Sequence, residues 1–287
     1  MGTLVLLTLT GLGLAALYFL IASGLSLVFG LAGVLNFAHG LFLSVGAYAT
    51  WWAAPRWGFG AAVAFGVVAA AATGALVELV LIRPLYRRPT EQVLVTVGLS
   101  LAGVALLQAV WGADPRPYPR PQWTRAVTRV LGAEIPDDRL LLVVAAGAVL
   151  AGLLAFLRYT RYGLVIRAGV ENRAMVSALG IDVRKAFTLV FAIGGGLAGL
   201  AGALGGVYFG SVSPGQGASL LIFAFIVVVI GGLGSVTGLA AAAVAVGLVQ
   251  QFVNYYGTAG AGDVCVVALL AVVLLVRPYG IAGRAAT

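Results

Sequence analysis

Asn36 and His39 are polar side chains set inside the apolar stretch Gly24–Tyr48, GLSLVFGLAGVLNFAHGLFLSVGAY, and His39 is the only histidine of the chain. An imidazole at membrane depth can relay a proton or ligate a substrate. In neutral form it can instead donate to a carbonyl freed by a helix break. Asn36 carries the same two readings, ligand or structural partner, and the residues leave them open. Phe37 and Phe42 put apolar surface beside both. Gly24, Gly30, Gly33 and Gly40 punctuate the stretch, and glycine with polar groups in hydrocarbon is costly unless it faces protein or a water-filled path. The pattern predicts an interrupted helix in a transport pathway rather than a simple anchor. A second break of this kind, Gly231-Gly232-Leu233-Gly234-Ser235, ends the short apolar piece Leu220–Ile230. The pathway candidates are Asn36, Phe37, His39, Gly40, Gly231, Gly232, Gly234 and Ser235.

A second group of polar residues lies between Arg161 and Asp182. Gly163 and Gly180 bracket a segment in which Leu164, Ala168, Met175 and Leu179 share one face at helical spacing, while Arg167, Glu171 and Asn172 lie elsewhere. Gly180 is well placed as a C-terminal cap. The spacing predicts a short amphipathic helix lying across a membrane surface. On the residues alone it serves equally as a docking helix or as a basic loop without a partner.

Enzymatic chemistry finds no support. With one histidine and nine acidic residues, the chain offers no catalytic triad, metal cluster or carboxylate dyad, and so no metal or cofactor is expected. Gly194, Gly196 and Gly199 match a dinucleotide-binding pattern but lie in an apolar span with no preceding strand, so close helix packing explains them better. Lys185 is the only lysine and follows an arginine. A phosphate-binding loop of the P-loop kind is therefore absent, and the chain cannot be its own ATPase. Cys265 reads as packing. Glu78, five residues before Arg83, is expected to pair with an arginine or reach the interface, and Asp263 to cap the last helix.

These residues must be positioned by membrane helices. The chain is 62% hydrophobic and 9% charged, with a mean hydropathy of +1.09, which excludes an ordinary soluble domain. Apolar segments fall at Leu4–Phe29, Val34–Ala54, Gly60–Ile82, Val93–Trp111, Leu140–Leu157, Ala186–Phe209, Leu220–Ile230, Val236–Tyr255 and Val264–Val276. Most approach the ~20 residues that span a bilayer. The expectation is an all-α, polytopic helical membrane protein of eight or nine segments, some broken or half-helices, forming one transmembrane domain over residues 1–287. Arg83, Arg87, Arg88, the basic residues of the 158–185 loop, Arg277 and Arg284 outnumber Arg56 and the arginines of the 112–139 loop. The larger set belongs in the cytoplasm, with the N-terminus outside. The net charge of +8 thus reports topology, not nucleic-acid binding. Prolines 115, 117, 119 and 121 in the outer loop favour extended backbone. No basic residue precedes Arg56, so the first apolar run is expected to be retained rather than cleaved as a signal peptide.

Four motifs together resemble LivH-type permeases of branched-chain amino acid ABC importers. They are the Gly24–Tyr48 stretch with Arg83-Pro84-Leu85, the Gly163…Ile181 loop, Phe225–Ser235, and Arg277-Pro278-Tyr279-Gly280-Ile281-Ala282-Gly283. The resemblance implies a pathway formed by two permeases, identical or homologous, two cytoplasmic ATPase subunits that bind the ATP, and an extracytoplasmic solute-binding protein delivering the amino acid. It further implies that Gly163, Arg167, Ala168, Glu171, Asn172, Ala174, Gly180 and Ile181 form the segment that docks on the ATPase. Relatives import urea, amides or other amino acids, and a secondary transporter or channel working without ATPases also suits glycine-broken helices. The bracketed docking helix is the feature such a transporter does not need.

Overall fold

The computed structural model describes residues 2–33, 35–86, 88–130, 132–178, 183–232, 234–258, 260–277 and 280–282, with side chains described outside 31–32, 170–178 and 183. Ten α-helices run through the described residues: α1 Gly2–Ala32, α2 His39–Trp57, α3 Phe59–Val77, α4 Pro89–Trp111, α5 Asp137–Tyr159, α6 Arg161–Ala178, α7 Val183–Phe209, α8 Gln216–Gly231, α9 Val236–Tyr256 and α10 Ala261–Val276. Every apolar segment expected from the sequence contributes a helix, and a helix, α6, also forms where the bracketed loop predicted one. By length and composition α1, α3, α4, α5, α7 and α9 can cross a membrane. The 16-residue helices α8 and α10 reach roughly 24 Å at 1.5 Å per residue and fall short of a ~30 Å hydrocarbon core.

Glycine decides how these helices meet. In lipid there is little hydrophobic gain from joining two apolar helices, so close backbone approach supplies the attraction. Helix α7 lies against both α2 and α3 along its glycine ladder. A Cβ at Gly195 would stand 2.6 Å from the Ala70 carbonyl oxygen, and one at Gly202 would land on the Leu43 carbonyl. Helix α1 reaches α7 where a Cβ at Gly24 would be 2.6 Å from the Gly194 carbonyl oxygen. Phe187 and Phe191 of α7 are fully buried in the same core. The Gly194-x-Gly196-x-x-Gly199 pattern is therefore a packing seam within a helix.

At one end of the bundle the 112–136 connection is folded onto the helices. Strands β1 (Arg116–Pro117), β2 (Val127–Val130), β3 (Ala133–Pro136) and β4 (Ser211–Val212) form two antiparallel pairs, β1 with β4 and β2 with β3. The Trp51 indole donates to the Pro117 carbonyl at 3.1 Å, and Arg120 donates to the Val207 carbonyl at 3.4 Å. Tyr118 is buried against α2 and α7, and that burial pushes its phenol pKa up. The proline-rich stretch is extended as expected, but it is docked rather than wholly solvated.

At the opposite end, α3 continues into a π-helical turn, Glu78–Ile82, and a 3-10 turn, Arg83–Leu85. Glu78 is fully buried. Arg83 donates to it at 3.3 Å, Thr188 donates at 2.7 Å, and the Tyr86 hydroxyl donates as well. Pairing prevails over snorkelling because α7 brings Thr188 to the second carboxylate oxygen. Asp263 corrects an expectation: α10 starts at Ala261 after Gly260, whose φ is +88°. The Gly262 N–H is taken by Asn254 Oδ1 at 2.9 Å, which leaves Asp263 to accept from Gln250 Nε2 at 2.6 Å.

The break between α8 and α9 is closed by the C-terminal segment. Gly232 turns the chain at φ +89°, and the Ser235 hydroxyl caps α9 by accepting from the Gly238 N–H at 3.1 Å. The last carbonyls of a helix lack internal partners. Here the Ile281 N–H donates to the Ile230 carbonyl at 2.8 Å and the Ala282 N–H to the Gly231 carbonyl at 3.3 Å. Truncation after Arg277 should cost roughly 1–3 kcal/mol through two lost bonds, read as a lower Tm of the detergent-purified protein. Gly202→Leu, forced against the Leu43 carbonyl, should overpack the α2–α7 seam by more than the ~1–3 kcal/mol typical of cores. Size-exclusion chromatography should show it as loss of the monodisperse peak.

Candidate translocation pathway and docking helix

The first break runs from Gly33, at φ +69°, to Ala38. Asn36 organises its exit. Its side-chain Oδ1 accepts from the Ala38 N–H at 3.0 Å, and its backbone carbonyl accepts from the His39 N–H at 3.1 Å. This Asx-type turn launches α2 without a capping side chain at Ala38 itself. Asn36 is buried, and its Nδ2 has no partner. His39 is fully buried, places Nε2 3.1 Å from the Ile21 carbonyl, and meets Phe42 edge-on at 6.0 Å. It ties α2 to the interior of α1. The carbonyl it meets belongs to an intact helical turn, not to the break as the sequence suggested.

Gly40 is a crossing point: a Cβ there would be 2.7 Å from the Gly217 carbonyl oxygen. Ser44 donates to the Pro214 carbonyl at 3.3 Å. Gly40 lies roughly 25 Å along α2 from Trp57 at the docked-loop end. Helix α8 thus starts at the depth where α2 begins, away from the docked-loop end, as expected of a half-helix.

Three cavities surround these elements, and α1 contributes to each. The first, about 280 Å³, lies among Leu25, the first break (Leu35, Asn36, Phe37), Val97, Ser100 and Leu101 of α4, and Ala218, Leu221, Ile222 and Phe225 of α8. The second, about 180 Å³, is bounded by Ser23, Ser26, Leu27 and Gly30 of α1, Leu157, Ile166 and Arg167, and Gly234, Val236 and Leu239 at the second break. The third, about 640 Å³, opens toward the docked-loop end and includes Tyr18, Pro115, Ser211, Ser213, Gln216, Gln250 and Asp263. In it the Tyr18 hydroxyl donates to Gln250 Oε1 at 2.7 Å, and Gln250 in turn donates to Asp263. This relay was missed in the sequence, where Tyr18 and Gln250 were single polar residues in separate spans.

The pathway candidates therefore divide. Asn36 and Phe37 line the first cavity and Gly234 the second. His39, Gly40, Gly231, Gly232 and Ser235 line none of the three. Gly40 and Gly231 serve helix contacts, a Cβ at Gly231 standing 2.8 Å from Leu239 Cα, while Gly232 turns the chain and Ser235 caps α9.

Helix α6 is launched by Thr160, whose hydroxyl accepts from the Gly163 N–H at 2.9 Å. A Cβ at Gly163 would stand 2.6 Å from Leu157 Cα, so only glycine lets α6 fold back on the end of α5. That approach sets the rotation of the helix. Gly163, Ile166 and Gly169 face inward, and Leu164 is 61% exposed. The expected Leu164–Ala168 face is thus not the packed one, although Ala168 is half-buried. Arg167 is exposed and also borders the second cavity. Glu171, Asn172 and Ala174 belong to α6, with side chains outside the description, and Gly180 and Ile181 lie outside the described residues. Among the described residues no cluster of His, Cys, Asp or Glu could hold a metal ion.

A family model described as "Branched-chain amino acid transport system / permease component" matches residues 7–276. The chain is 30% identical over 292 residues to the high-affinity branched-chain amino acid transport system permease protein LivH of Escherichia coli (strain K12), covering 96% of this chain and 94% of that protein. It is 31% identical over 291 residues to the permease protein BraD of Pseudomonas aeruginosa, with the same coverage. The probable LivH of Methanocaldococcus jannaschii is 26% identical over 288 residues, covering 92% of this chain and 88% of that protein. No solved structure matches the chain. With its multi-pass helical architecture and a family match over nearly its full length, the chain belongs to the permease components of branched-chain amino acid transport systems.

Proposed function

We propose that this chain provides the membrane pathway of an ATP-driven importer of branched-chain amino acids, coupled through α6 to separate ATPase subunits. It works beside a second permease subunit and two cytoplasmic ATPases that bind the ATP. An extracytoplasmic binding protein delivers leucine, isoleucine or valine. The protein sits in a bacterial or archaeal cytoplasmic membrane as a single transmembrane domain over residues 1–287. The 112–139 loop and the N-terminus face outward, while the 158–185 loop and the C-terminus face the cytoplasm. The greater share of basic residues on the α6 side supports that orientation.

The observation that carries this reading is the second cavity, where Arg167 of α6 and Gly234 of the α8–α9 break border the same space. A rigid helix that is moved on one face by a closing ATPase pair and abuts a chain break on the other can convert closure into motion of the half-helix α8. Arg167, Ala168, Glu171, Asn172, Gly180 and Ile181 are assigned to ATPase docking, with Gly163 and Ala174 shaping the segment. Asn36, Phe37, His39, Gly40, Gly231, Gly232, Gly234 and Ser235 are assigned to the pathway and the packing that shapes it.

Arg167→Glu in the reconstituted complex should lower ATP hydrolysis stimulated by leucine-loaded binding protein at least ten-fold and weaken ATPase co-purification. Undiminished stimulation and association in that variant would remove α6 from the coupling role.

A further inference from the structure

Beside the cavity at the first break, among the described residues, lies a buried side-chain donor with nothing to bond. Asn36 is 3% exposed and borders the cavity, and its Nδ2 is unpartnered while Oδ1 accepts from the Ala38 N–H at 3.0 Å. The identity of the two amide atoms follows from chemistry: the atom facing a backbone N–H must be the acceptor, so the free one is the NH₂. A buried donor without an acceptor is unfavourable, and the bond to Ala38 prevents the amide from turning to find another. Around it Val97, Leu101, Leu221 and Phe225 make an apolar wall, and Ser100 adds a hydroxyl. Among the described residues no acidic or basic side chain borders the space of about 280 Å³.

We propose that this cavity is a transit site for the amino acid itself. Asn36 Nδ2 donates to the substrate carboxylate, and the aliphatic side chain rests against Leu221 and Phe225. This rests on the importer reading above and adds to it the place and the contacts of the substrate. A carboxylate is an acceptor with no N–H or O–H of its own, which is what a fixed NH₂ group lacks. An uncharged donor holds it without the strength of an arginine pair, as suits a site that must also release its occupant. The apolar wall favours branched aliphatic side chains over charged ones.

The test uses the complete reconstituted complex with binding protein carrying photo-leucine, the diazirine analogue of leucine, irradiated during ATP-driven uptake. Label on peptides containing Val97–Leu101 or Leu221–Phe225 is the expected result. ATP-driven uptake with label only elsewhere overturns the site and leaves the importer reading standing; absence of ATP-driven uptake in the unaltered complex overturns both. Asn36→Asp supplies a second arm, because it keeps the oxygen that accepts from Ala38 and replaces the donor with a group that repels a carboxylate. Leucine uptake should fall at least ten-fold at pH 8 with the Tm of the purified complex unchanged; loss of uptake together with a lower Tm, or uptake within two-fold of the unaltered protein, contradicts the proposal.

Discussion

Inside hydrocarbon a backbone N–H or C=O without a partner is heavily penalised, so a membrane chain can leave helical geometry only where other groups complete its hydrogen bonds. At both breaks described groups supply such partners, by different means. At 33–38 the Asn36 side chain and carbonyl take the N–H groups that begin α2, and His39 ties the new helix to α1. At 232–235 the Ser235 hydroxyl begins α9, and residues Ile281 and Ala282 return to bond the carbonyls that end α8. The last described residues of the chain are thus part of a structure formed some fifty positions earlier. The first cavity borders the first break and the second cavity the second.

Close helix contact is the second requirement, since it keeps the broken helices at fixed depth. Helix α7 meets α2 and α3 through glycines that admit no side chain. Gly24 and Gly194 set α1 against the same helix. With α2 fixed, the Gly40–Gly217 crossing fixes where α8 starts. Helix α8 ends at a capped break that borders the same cavity as Arg167 of α6. The buried Glu78, bonded by Arg83, Tyr86 and Thr188, ties the α3–α4 turn to the start of α7 at that same end.

The helices were legible because apolar run length and glycine punctuation are direct consequences of the bilayer and of close packing. The half-helix character of Leu220–Ile230, the breaks and the α6 segment followed from the same signals. Other features depended on partners distant in the chain. Asp263 looked like a cap because Gly262 precedes it, yet Asn254 supplies that bond and Gln250 claims the carboxylate. The packed face of α6 was misassigned because hydrophobic spacing cannot register that Gly163 must press against Leu157. The polar relay from Tyr18 to Asp263 was invisible for the same reason: its members are 232 and 13 residues apart along the chain. Of the pathway candidates, the sequence marked the breaks correctly but could not tell a residue that borders a cavity, such as Asn36, from one that closes a turn, such as Ser235.

The central claim is that leucine crosses through this chain only when ATP hydrolysis by its partners drives it. The most direct measurement is accumulation of radiolabelled leucine in proteoliposomes holding this permease, a second permease and the ATPase pair, with binding protein outside and ATP inside. The account predicts accumulation against a gradient that needs ATP and every partner. Leucine flux through this chain alone, without ATP or ATPase, would contradict it.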